Sequence, residues 1–197
     1  MINLIRTTDA TEEPITLAEM KIYLKVDNDT DDNLISGLIS GARNLIETEC
    51  DYFCVLPQVW TEKTDEYSDG EIYLHAHPVS TVSSVVLTEI DKSTTSLVED
   101  TDYYVSGQYL YEIDGGKFDS GRKADAYKIV YYADKSGTTA TVPNEIKVAM
   151  YRLISFWYEN REEYATQIIE AGWHTAYQFM PNWFYGLIKN HRTGNII

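Results

Sequence analysis

Residues 142–162 read VPNEIKVAMYRLISFWYENRE. Pro143, with its φ already near the helical value, suits the first turn of a helix, and Glu145 places a negative charge at the positive end of the helix dipole. Ile146, Met150, Leu153 and Trp157 then recur at i, i+4, i+7 and i+11, which is one helical face. Ile154 and Tyr158 widen that face, and Arg161 favours the far end, where a cation meets the negative pole. The pattern predicts a helix over 143–162 that buries an aromatic stripe, with Ile146, Met150, Leu153 and Trp157 as core scaffold.

Working outward, residues 14–54 also read as helical. Thr16-Leu17-Ala18-Glu19 is a capping box, followed by Leu17, Met20 and Leu24 on one side of a short helix. The acidic run Val26–Asp32 interrupts it. A second helix is expected next, with Leu34, Leu38, Ala42, Leu45 and Ile46 as its apolar face and Asp31 and Asp32 at its positive end. Gly37 and Gly41 each lower helix propensity, which points to close approach by another helix.

Residues 55–134 change period. Pro57–Tyr67, Glu71–Ala76 and Thr81–Ile90 read as strands, with Pro78 separating the second from the third. Tyr103–Val105 and Tyr109–Ile113 suit a hairpin around Ser106-Gly107-Gln108. Asp114-Gly115-Gly116 is a turn signal, and Tyr127, Ile129 and Tyr131 alternate with Lys128, Val130 and Tyr132. Helix returns at 143–162 and again near Asn182–His191, after Pro181, with 192–197 as a tail. The fold class expected is α+β: residues 1–54 and 135–197 form a helical domain, and 55–134 a β-rich, antiparallel insertion.

Of the chain's 197 residues, 31 are acidic and 16 basic, for a net charge of −15. With no Lys/Arg cluster, it lacks the basic footprint of specific nucleic-acid binding and is poorly suited to an anionic membrane. No segment reaches the ~18 apolar residues of a membrane span, and MINLIRTTDATEEP lacks the basic start and apolar run of a signal peptide. Cys50 and Cys54 have no second pair to complete a zinc site and are read as thiols in a reducing cytoplasm. The sixteen tyrosines suit both strands and surfaces buried in contacts. Asp27-x-Asp29-x-Asp31 has the oxygen density of a calcium loop, but Asp32 and Leu38 stand where that loop needs Gly and Glu. His75-x-His77 lacks an identifiable third ligand. No nucleophile elbow, phosphate loop or kinase signature is present, so neither an enzyme nor a cofactor is expected.

Several segments, in order, resemble one family. These are Glu13–Lys21 (EPITLAEMK), Leu24–Asp27 (LKVD), Leu56–Trp60 (LPQVW), Pro78-Val79 with Val82–Val85, Tyr131–Ala133, Pro143–Glu162, and Met180-Pro181 with Leu187–Arg192. Together they are similar to the head–tail connector (adaptor) proteins of tailed bacteriophages and gene transfer agents. Asp134 stands where that family favours Gly, His191 where it favours Tyr, and 163–181 have no counterpart.

The resemblance implies a structural virion protein of the neck, with an α-helical connector domain carrying the β insertion. It implies a homo-oligomeric ring of ~12 copies below the portal, closed by a head-to-tail interface. The expected partners are the portal protein, stopper or tail proteins, and double-stranded DNA that passes without sequence-specific binding. Leu187, Ile188, His191, Arg192, Ile196 and Ile197 become candidate portal contacts. Asp27, Asp29, Asp31 and Asp32 become candidate acids of the DNA channel, where like charge would keep phosphates from sticking. Two rival readings use the β zone: a monomeric ligand- or carbohydrate-binding module with an aromatic face, and a metal-dependent enzyme built on His75 and His77.

Overall fold

In the computed structural model, residues 2–65, 67–113, 118, 124–134, 142–160 and 182–192 are described. In chain order the elements are β1 (Asn3–Thr8), α1 (Leu17–Leu24), α2 (Asp32–Glu49), β2 (Gln58–Thr64), β3 (Glu71–Tyr73), β4 (Val79–Thr88) and β5 (Thr94–Leu97). They continue with β6 (Tyr103–Ser106), β7 (Tyr109–Glu112), β8 (Tyr127–Ala133), α3 (Asn144–Glu159) and α4 (Asn182–Ile188), which ends in the 3₁₀ turn Lys189–His191. The class is α+β with antiparallel sheets. Two units divide the chain: Met1–Thr11 with Tyr52–Gly137, and Glu12–Asp51 with Thr138–Ile197.

In the first unit, β8 is the centre of a five-stranded antiparallel sheet ordered β1-β2-β8-β4-β5. Its alternation puts Tyr127, Ile129, Tyr131 and Ala133 inward, the pattern of a strand with one wet face. A second, three-stranded sheet runs β3-β7-β6. Gly107, at φ +63°, starts the two-residue turn of the β6–β7 hairpin, a conformation that favours glycine. Trp60, Val82, Val85, Ile129 and Tyr131 of the large sheet share one core with Ile72, Leu110 and Tyr103 of the small one. The unit is therefore two layers around a common interior.

In the second unit, α2 packs on α1 and α3, and α4 on α3. Its core contains Met20, Ile35, Ile39, Ala42 and Ile46, facing Ile146, Ala149, Met150, Leu153 and Ile154, with Phe184 and Ile188 from α4. Each buried Ile, Leu, Met or Phe among them stabilises the fold by about 1.5–3 kcal/mol relative to exposure.

Four expectations change. Asn3–Thr8 is a strand paired with β2, so the first residues belong to the β unit and not to the helical part. Thr94–Leu97 forms an edge strand that its polar sequence does not announce. Of the expected α2 face, Ala42 and Ile46 are buried, but Ile35, Ile39, Arg43 and Glu47 complete the buried side, while Leu38 and Leu45 are half-buried and Leu34 is 39% exposed. Pro143 is the N-cap of α3, one residue before the first turn. Arg161 and the Asp114-Gly115-Gly116 turn lie outside the described residues.

Candidate functional site

The acidic run between α1 and α2 is organised by Lys21. Its Nζ lies 2.7 Å from a carboxylate oxygen of Asp29 and 2.7 Å from one of Asp32. The two carboxylates raise the Lys21 pKa, and hydrogen bonding to Lys21 lowers that of Asp29. Asp31 is the N-cap residue of α2, and its carboxylate accepts a hydrogen bond from the Tyr158 hydroxyl of α3. Asp27 is exposed. Three of the four candidate channel acids thus have partners within the chain, and Asp27 and Asp29 remain open to solvent.

The helical unit also holds a charged cluster that hydropathy reading passes over. Arg43, 1% exposed, donates to Glu13 through Nε (2.8 Å) and Nη2 (3.3 Å). Through Nη1 it also donates to Glu47, one helical turn on, at 3.2 Å. The fork ties the segment before α1 to α2, and Thr16 then starts α1 with both halves of the capping box formed. An Arg-x-x-x-Glu pair inside an amphipathic helix is the sequence signal.

At the other end of the helical unit, the Cys50 thiol donates to the Ile188 carbonyl at 3.8 Å, and burial pushes that thiol up to about 12. Burial also raises the Glu49 carboxyl, while nearby Arg192 pulls it back. Arg152 lies over the Trp183 ring at 4.1 Å. Among the candidate portal residues, Ile188 is fully buried, Leu187 and His191 are half-buried, and Arg192 is exposed. Ile196 and Ile197 lie outside the described residues. Of the scaffold residues on α3, Ile146, Met150 and Leu153 are buried. Trp157 is half-buried, with its ring 3.9 Å from where a Gly41 Cβ would sit. Gly37 has open space instead.

In the β unit, Glu62 is a fully buried carboxylate. His75 Nδ1 lies 2.7 Å from its Oε1, and the His75 backbone N–H (3.1 Å) and Tyr131 hydroxyl (2.9 Å) donate to Oε2. The Tyr131 oxygen in turn accepts from Ala76 N–H at 3.0 Å. Burial and the adjacent carboxylate raise the Tyr131 pKa. His75 ties the strand end after β3 to β2, and the Ala76 N–H ties it to β8. His77 packs edge-on against Phe53. Among the described residues, no three His, Cys, Asp or Glu side chains converge as metal ligands.

The solvent face of the small sheet is aromatic. Tyr104 stacks on Tyr111 (5.1 Å), Tyr111 meets Tyr109 (5.9 Å), Tyr109 meets Tyr73 (5.3 Å), and Tyr73 meets His75 (4.9 Å). Tyr104 and Tyr109 are 44% and 36% exposed.

This chain is thus an α+β protein whose distinctive features are surfaces and braces. It belongs to the head completion protein family, whose model matches residues 13–192. The connector resemblance read from the sequence leads to the same place. The fold is shared with a chain of the neck of an empty gene transfer agent (GTA) particle computed with C6 symmetry (TM-score 0.70, 17% identity, covering 99% of this chain and 97% of that one). It is shared equally with chains of the virion of a native GTA particle (0.70, 17%, 98% and 97%) and of a native GTA neck computed with C12 symmetry (0.68, 17%, 100% and 97%). No curated protein sequence matches significantly. Among the described residues, no helix is long and apolar enough to cross a membrane.

Proposed function

We propose that this chain is a structural protein of a virion neck: a head–tail connector that completes the DNA-filled head as a ring below the portal. The observation that carries this reading is the family match over residues 13–192, which extends across both units. The shared fold with chains of GTA necks supports it. In this reading the helical unit is the connector domain and the β unit the insertion. The portal lies above the ring, a stopper or tail protein below it, and DNA passes through. The role is mechanical, with no cofactor. Asp27, Asp29, Asp31 and Asp32 face the channel. Leu187, His191 and Arg192, with Ile196 and Ile197 of the tail, face the portal. Ile188 holds α4 in the core instead.

The test is native mass spectrometry and electron microscopy of the full chain, alone and mixed with portal rings. The expected result is a ring on the portal, weakened by replacing Leu187 and Arg192 with Ser. A chain that stays monomeric, ignores the portal and binds oligosaccharide through its tyrosine face overturns the reading.

A further inference from the structure

We propose that the two outer faces of the β unit are the two halves of a head-to-tail contact between neighbouring copies, the lysine-bearing face of one seated on the tyrosine face of the next. The proposal rests on the ring reading above and names the surfaces that close it.

The first half is the outer face of the five-stranded sheet. One row crosses all five strands: Asn3, Lys63, Lys128, Val86 and Ser96. Lys63 and Lys128 are directly opposite one another, an arrangement that destabilises a sheet. Among the described residues no carboxylate forms an ion pair with either lysine. The next row is Ile5, Thr61, Val130 and Ser84. The outward positions of these strands hold hydroxyl, amide, β-branched, tyrosine and lysine side chains and no acid, in a chain with 31 acids and 16 bases. Ile5 and Tyr132 are 47% and 45% exposed, so the face is open. Inside one copy the lysine pair is only a cost.

The second half is the tyrosine face, Tyr104-Tyr111-Tyr109-Tyr73. Glu71 stands in the same row as Tyr111 and Tyr104. Tyrosine gives large contact area with few torsions to freeze, and its ring attracts an ammonium group. The inner sides of both sheets belong to one core, so their outer sides look away from each other. A ring built head to tail needs two different complementary patches pointing in different directions. Copies carrying −15 each repel. An acid-free face with two unneutralised lysines, meeting rings and a carboxylate, turns that approach into attraction.

The experiment uses two full-length double variants, Lys63→Glu with Lys128→Glu, and Tyr104→Ala with Tyr109→Ala. All changed side chains are at the surface, and thermal melts check folding. Ring yield with portal rings present is counted by mass photometry and electron microscopy. Each variant should lose rings at least tenfold. Mixed one to one in the absence of portal, they should form pairs and stop, because each supplies one intact face. The single variant Lys63→Glu removes the like-charge pair, so its Tm should equal or exceed that of the unmodified chain while its ring yield falls. Folded variants that assemble as the unmodified chain does overturn the assigned faces and leave the connector reading standing. An unmodified chain that never forms rings, with or without portal, overturns the connector reading and this contact with it.

Discussion

Arg43 and Glu47 show what a single buried charge demands. Both side chains are almost wholly removed from water, at 1% and 2% exposure. Attraction within the pair offsets their desolvation only while every partner is in place. Arg43→Ala leaves Glu47 buried and should cost about 3–5 kcal/mol in urea denaturation. Tyr131→Phe removes the hydroxyl that links Ala76 to Glu62 and should cost about 1–3 kcal/mol in the same assay. The cysteines give a chemical check on the same interiors. Both are fully buried, and the Cys50 thiol is pushed up to about 12, so its reactive thiolate is scarce at pH 8. Native protein at pH 8 should resist thiol labelling, and unfolding in guanidinium should expose two reactive thiols per chain.

Among the elements, α1 and α2 are the informative pair. α1 has only one fully buried residue, Met20, and depends on its ends. Thr16 accepts from Glu19 N–H at 3.2 Å, and Glu19 accepts from Thr16 N–H at 2.7 Å. Thr16→Ala should cost about 1 kcal/mol. Those Thr16 donors hold the Glu19 carboxyl below the usual glutamate range. A depressed pKa means the folded state favours the ionised form. The contribution is therefore full above the unfolded value and disappears as pH falls through the folded one. Thermal melts followed by helical circular dichroism should show the unmodified chain above Glu19→Gln by most at neutral pH, the gap closing as pH falls through the Glu19 range. In α2, Gly37 has no heavy atom near a built Cβ, so Gly37→Ala should raise stability by about 0.5–1 kcal/mol. The expected stripe and the buried one share Ala42 and Ile46 and differ in Leu34, Leu38 and Leu45 against Ile35 and Ile39. Periodicity alone could not choose between them. Packing against α1 and α3 decides in favour of the second, and Arg43 and Glu47 ride inward on it.

At the scale of the whole molecule, net charge is the dominant property. At −15, with Lys21, Arg43 and Arg152 already engaged inside the chain, little basic surface remains to neutralise phosphates. Fluorescence anisotropy with a short DNA duplex at ~150 mM salt should show no binding tighter than the nonspecific range of about 10⁻⁴ to 10⁻⁶ M. A connector that passes DNA without holding it needs this property. Submicromolar binding would contradict the channel role proposed for Asp27 and its neighbours.

Much of this was legible in the residues. Proline, capping residues and 3.6-residue spacing set α1 and α3, and alternation of two set β8 and the β6–β7 hairpin, because these signals are local and act before any distant contact. The ordered motifs from Glu13 to Arg192 pointed to the family. What sequence alone left open depends on which distant strand or helix lies alongside. Asn3–Thr8 is a strand only because β2 offers it an edge. Thr94–Leu97 is one only because β4 does. Glu62 is tolerable inside only because His75 and Tyr131, thirteen and sixty-nine residues away, converge on it. The tyrosines were visible as a count, but their gathering on one open face, opposite an acid-free face with two facing lysines, was decided by register. Cross-strand pairing is a property of the folded chain, and a one-residue slip would have reversed both faces.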